Sequence, residues 1–192
     1  MREERVGFAM CGSFCTHEKA LNALRELTAQ YETVLPILSE TAAASDTRFG
    51  TAKDLIHRME TLTGHPVWSD IRAVEPIGPK GLLDVLVIAP CTGNTLAKLA
   101  CGVTDTAVTM AAKAHLRGGK PVVLAVSTND GLAAGARNIG ELLVRKNYYF
   151  VPFGQDSPKK KPCSLVADFT LLPAAVDAAL RGEQLEPILY AV

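Results

Sequence analysis

The 192-residue chain lacks a net charge, because Lys+Arg and Asp+Glu both number 20. That balance excludes the basic surplus that nucleic acids and anionic membrane surfaces recruit, and it favours self-association over mutual repulsion. Long apolar runs are missing too: "LLDVLVIAP" carries Asp84 and falls well short of the ~20 residues a membrane span requires. The opening "MREERVGFAM" has charges but no apolar block followed by a cleavage site. No secretory leader is therefore expected, and a cytoplasmic location is expected with it. The five cysteines, Cys11, Cys15, Cys91, Cys101 and Cys163, form no CxxC pair. They are expected to be reduced, packed thiols, and no metal site is expected. None of His17, His57, His65 and His115 stands in a motif with a serine or cysteine, which removes support for a hydrolase triad. The GxGxxG fingerprint of dinucleotide binding is also absent.

What the chain does have is five apolar runs, at 5–10, 33–38, 84–89, 121–126 and 148–153, separated by helical patterns. This alternation predicts an α/β fold in three αβα layers, a doubly wound parallel sheet of Rossmann-like type. In "THEKALNALRELTAQY", Ala20, Leu24 and Leu27 make one stripe, and Leu55, Met59 and Leu62 make another ahead of a stop at Gly64. "DTAVTMAAKAHLRGG" is alanine-rich and suited to close helix packing, within the protomer or against another. Two further helices are expected over "GLAAGARNIGELLVRKN" and "VADFTLLPAAVDAALRG", the second kinked or restarted at Pro173. With no linker and no repeat, residues 1–192 are expected to form one domain.

Ligands of open parallel sheets bind beyond the carboxyl ends of the strands. Four of the five runs are followed there by small polar residues. "CGSFCTHE" offers Gly12 for a turn, the Ser13 hydroxyl and a helix start, which together suit a phosphate; capping by Ser13 or Thr16 is the plainer alternative. "SETAAASDTRFG" adds Ser39 and Thr41, and Arg48 beside Asp46 either forks a carboxylate or forms a solvated ion pair. In "PCTGNT", Thr92, Asn94 and Thr95 can donate and accept within one turn, and Gly93 lets a flat ligand approach the backbone. Cys91 is either a thiol activated by a helix N-terminus or a packed small residue. Lys159, Lys160 and Lys161 read as a solvated loop.

These segments resemble the FMN-dependent flavoproteins that include cysteine-peptide and phosphopantothenoylcysteine decarboxylases. The likeness runs through Pro90, Thr92, Asn94, Thr95, Lys98, Gly102 and Asp105, with Gly12–Ser13 at that family's phosphate turn and Ser39 at a second phosphate hydroxyl. More narrowly, "SDTRFG", "EPIGPKGLLDVLVIAPCTGNT", "VSTNDGL" and "NYYFVPFGQDSPKKKP" are similar to the B subunits of dipicolinate synthases from spore-forming bacteria. That resemblance implies work with an A subunit that carries NADP, and a role in sporulation. FMN is implied at Gly12, Ser13, Ser39, Thr41, Pro90 and Thr92–Thr95. Two departures stand out: "DIRAVEPIGP" lacks the histidine that the family's decarboxylases use, and "VSTN" replaces "PAMN", keeping Asn129.

The resemblance therefore points to an oxidoreductase. It would take part in dehydration and NADP-linked oxidation of a partly reduced pyridine dicarboxylate. Arg48, Asn94 and Asn129 are the expected substrate contacts, Glu75 and Asn129 the expected catalytic residues. The wider family implies a homo-oligomer, a trimer or a dodecamer built on trimers. A flavin-dependent decarboxylase or prenyl-flavin-type transferase, and a noncatalytic scaffold for the A subunit, are the alternatives.

Overall fold

A computed structural model of the chain describes residues 1–190. Its centre is a sheet in which β1 (Arg2–Met10), β2 (Tyr31–Leu38), β3 (Val85–Cys91) and β4 (Val122–Thr128) run parallel in the order β2-β1-β3-β4. Every residue of β3 is buried, as expected for a central strand covered on both faces. The helices α1 (His17–Gln30), α3 (Ala52–Thr63) and α8 (Leu172–Leu180) pack together, while α6 (Ala107–Leu116) packs with α4 (Ile71–Val74) and α5 (Gly93–Cys101). The short α2 (Glu40–Ala44) follows β2, and α7 (Ala136–Leu143) follows β4.

Local chemistry sets the helix boundaries. The Thr51 hydroxyl accepts the Asp54 amide at the start of α3, and Gly64 closes that helix at φ 70°, a left-handed position that costs glycine little. Thr106 and Thr109 form a reciprocal capping box at the start of α6. The alanines of α6 allow close approach from inside the same chain. A Cβ on Gly78 would stand only 2.6 Å from the Ala114 carbonyl oxygen.

The last third of the chain departs from the sequence expectation. The run at 148–153 is not one strand. Tyr148–Phe150 forms β5, parallel to the first half of β4, and Phe153–Gly154 forms β6. The second half of β4 pairs instead with an antiparallel strand, β7 (Leu165–Ala167), where the local pattern predicts the start of a helix. β6 and β7 pair antiparallel, so the sheet is mixed. A single 3-10 turn, Phe169–Leu171, then leads into α8, whose first turn holds Pro173 where no helical N–H is lost. α7 likewise starts later than its pattern suggests: a Cβ on Gly135 would meet the Asp130 carbonyl oxygen at 2.8 Å, and one on Gly131 would meet Leu165 at 2.6 Å.

At the amino-terminal rim, Asp84 accepts hydrogen bonds from the Arg5 amide at 2.8 Å and from Lys120 Nζ at 2.7 Å. Burial opposes its ionisation, but Arg5 and Lys120 together hold the carboxyl well below its usual range. This rim is locked by charge, which leaves the opposite rim for ligands.

Candidate functional site

The strand order β2-β1-β3-β4-β5 reverses direction between β1 and β3, and such a switch point opens a crevice at the carboxyl ends. A cleft of about 480 Å³ lies at that rim. Ser13 and Thr16 line it from the approach to α1, Gly93 and Asn94 from the start of α5, and Ser127 and Asn129 from the end of β4. Three loops distant in sequence thus meet at one hollow.

Short polar contacts tie the loops together. The Ser13 hydroxyl lies 2.7 Å from that of Ser127, which is also 3.2 Å from Thr16 Oγ1. Thr16 in turn donates to the Ser13 carbonyl at 2.8 Å. On the α5 side, the Thr92 hydroxyl caps the helix by accepting the Thr95 amide at 3.2 Å. The amides of Gly93 and Asn94, the first two of α5, have no acceptor within the helix and carry the positive end of its dipole. An anionic or carbonyl-bearing ligand suits such a surface.

Gly93 has a second reason to be glycine: a Cβ there would stand 2.6 Å from Thr128 Oγ1. The close approach is to the neighbouring loop, a packing demand with no signal in the sequence. Gly12 differs, because a Cβ would meet nothing nearer than 3.6 Å.

The other expected residues fall in three places. Ser39 and Thr41 sit beside the cleft without lining it. Ser39 is buried as the N-cap of α2, accepting the Ala42 amide, and the Thr41 methyl is 3.9 Å from where a Gly12 Cβ would stand. Pro90 follows a cis peptide bond and is buried within β3, and Thr95 is buried with its hydroxyl on Cys11 Sγ at 3.2 Å. Arg48 and Glu75 are exposed and outside the lining. The Arg48 guanidinium stacks on Phe49, 4.8 Å from the ring centroid, and Glu75 opens the turn after α4. Of the family-like pattern, Lys98, Gly102 and Asp105 finish α5 structurally: Lys98 donates to Asp105 at 2.8 Å and Gly102 is left-handed at φ 72°.

Two thiols buried behind the strand ends, Cys11 and Cys91, are inert, whereas the exposed Cys15 belongs to the cleft lining itself. Burial pushes Cys11 up to about 11 and also holds Cys91 well above its ordinary value, so both stay protonated at neutral pH. Cys91 is therefore a packed small residue, and His17 is a core donor, its Nε2 hydrogen-bonded to the Cys11 carbonyl at 2.8 Å.

Several lining residues are not among those expected from the sequence. Ser127 stands just before the "TN" at the end of the fourth strand, and that strand-end position is its signal. Lys19 follows Thr16 by about one helical turn, which places it on the same side of α1. Lys161 reaches the cleft only because the segment between β6 and β7 folds back over it, and no local pattern announces that.

Known proteins share this architecture. The sequence profile of the Flavoprotein family matches residues 1–138. The B subunit of dipicolinate synthase from Bacillus subtilis (strain 168) is 44% identical over 189 residues, covering 98% of this chain and 94% of that protein. The crystal structure of the dipicolinate synthase B subunit from Bacillus halodurans C matches with a TM-score of 0.90 and 44% identity, over 98% of this chain and 96% of that one. The FMN-dependent cysteine decarboxylase SpaF matches with a TM-score of 0.65 and 25% identity, over 92% and 97% of the two chains.

Proposed function

Because the chain belongs to the flavoprotein family and matches dipicolinate synthase B subunits along nearly its whole length, we propose that it works as the B subunit of a dipicolinate synthase. The reading rests on one observation: hydroxyls, carboxamides and free helix amides from three loops converge on a single cleft at the sheet's switch point. In this proposal residues 1–192 act as one domain and assemble as a homo-oligomer built on trimers. An A subunit holds NADP, in keeping with the lack of a dinucleotide fingerprint here.

The reaction class is oxidoreduction with aromatisation. A hydroxytetrahydropyridine dicarboxylate loses water from its ring C–OH. A ring C–H then leaves as hydride to NADP, a proton goes to a base, and the aromatic ring results. Asn94 and Asn129 orient the substrate by neutral hydrogen bonds, and the α5 N-terminus stabilises negative charge near it.

The cleft also fits FMN. Its volume falls within the roughly 300–1,000 Å³ typical of cofactor sites, and it presents hydroxyls and backbone donors suited to a phosphate and a flat ring. Gly12, Ser13, Thr16, Thr92, Gly93 and Asn94, which line the cleft, would hold it, with Ser39, Thr41, Pro90 and Thr95 supporting the loops around them. When bound, it supplies a two-electron acceptor. Arg48 and Glu75 are assigned no part in this chain's own cleft.

The test is reconstitution. Purified A subunit, substrate and NADP should form dipicolinate only when this chain is added. Full turnover by the A subunit alone would overturn the proposal.

A further inference from the structure

The expected carboxylate clamp, Arg48, lies outside the cleft, so a dianionic ligand needs cations from elsewhere. Two side chains on the lining supply them. Lys19 projects from the first turn of α1, and Lys161 belongs to the segment between β6 and β7.

Lys19 is oddly placed for a structural residue. A cation in the first turn of a helix opposes the helix dipole, and Lys19 forms no ion pair among the described residues. Its position also joins two hollows, because Lys19, Asp156 and Val166 line both the cleft and an adjoining pocket of about 380 Å³. Lys161 is held more loosely than a committed partner would be. Its Nζ is 3.4 Å from Asp156, and both side chains keep solvent contact, so the pair contributes little stability and can be exchanged for a ligand carboxylate. Asp130 and Asp156 also line the cleft, so its charged side chains balance. Recognition there must come from placed cations rather than from bulk charge.

We propose that Lys19 and Lys161 are the specificity-determining pair of the cleft, each taking one carboxylate of a flat ring dicarboxylate. The inference rests on the proposed synthase reading and names the residues that select its substrate class. A monocarboxylate engages only one post. A dicarboxylate spans both, displaces Asp156 from Lys161, and bridges α1 to the β6–β7 segment.

The experiment is calorimetric titration of the purified full chain with pyridine-2,6-dicarboxylate and with pyridine-2-carboxylate, repeated on variants. The dicarboxylate should bind at least tenfold more tightly than the monocarboxylate. Lys19→Gln and Lys161→Gln should each weaken dicarboxylate binding at least tenfold and abolish the discrimination. Lys19→Arg and Lys161→Arg should restore most of it, and Lys159→Gln, outside the lining, should change nothing. Equal binding of the two acids, no binding of either, or unchanged affinity in both Gln variants would overturn the proposal. A parallel titration with FMN separates phosphate recognition: if the Gln variants lose FMN affinity but keep the dicarboxylate, the lysines serve the cofactor and the proposal fails. The synthase reading is judged separately by reconstitution with the A subunit, so the two can fail independently.

Discussion

The hydroxyls of Ser13 and Ser127, 114 residues apart in sequence, stand 2.7 Å from each other and close the carboxyl rim between β1 and β4. Ser127 also holds Thr16, so it braces the whole turn that enters α1. Ser127→Ala should therefore loosen the turn without unfolding the sheet. Affinity for FMN should fall about tenfold, roughly 1.4 kcal/mol, when followed by quenching of flavin fluorescence on titration.

Gly93 and Thr128 make a sharper prediction about packing. Gly93→Ala places a methyl group 2.6 Å from Thr128 Oγ1 and should destabilise the chain by about 1–3 kcal/mol in urea unfolding. Adding Thr128→Ala removes the clashing oxygen and leaves only an ordinary contact at 3.5 Å with the Thr128 Cβ. The double variant should recover most of the loss. Additive losses would contradict the assigned contact.

Glu40 links α2 to α6 by accepting the Ala107 amide on Oε1 at 2.8 Å, while its Oε2 is buried without a protein partner. Glu40→Ala should cost about 1 kcal/mol, because it orphans an amide at the start of α6. Glu40→Gln keeps an oxygen acceptor and should retain most of the stability. Thermal unfolding of the pair checks both, and a loss with Gln equal to that with Ala would contradict the role.

The sequence was legible where periodicity and strand-end chemistry coincide. Ser13, Asn94 and Asn129 each follow a strongly apolar run, and the fold brings all three to one cleft. It was illegible where tertiary pairing overrides local pattern. Tyr148–Phe150 and Leu165–Ala167 compete for the same edge of β4, each taking half of it, and nothing within either segment says where the exchange occurs. Arg48 looked like a clamp because a guanidinium beside a carboxylate is a plausible fork; its real neighbour is the adjacent Phe49 ring. Lys159, Lys160 and Lys161 are solvent-exposed as their loop composition suggests, but that Lys161 also joins the cleft lining is set by how the β6–β7 segment folds back.

His115 makes stability depend on pH. It is buried in α6, where its Nε2 donates to the Pro121 carbonyl at 3.0 Å, and burial lowers its pKa from 6.5 to about 4 despite that bond. Lys120 lowers it further, and Asp84 opposes. The unfolded chain therefore binds the proton more readily than the folded one. Stability is complete above pH 6.5 and falls as pH drops toward about 4, by up to about 3 kcal/mol. His17, also lowered by burial, acts in the same direction, whereas the Asp84 cluster is lost only in stronger acid. His115→Gln should flatten, without abolishing, the slope of unfolding free energy between pH 6.5 and 4.

The most direct test is the turnover of the A subunit reconstituted with this chain bearing Asn94→Ala and Asn129→Ala, alongside sedimentation of the complex. Chemistry in the cleft predicts that the complex assembles normally while dipicolinate formation falls at least a hundredfold, about 2.7 kcal/mol of transition-state stabilisation. Assembly with undiminished turnover would contradict it, and would make the chain a scaffold whose cleft takes no part in the reaction.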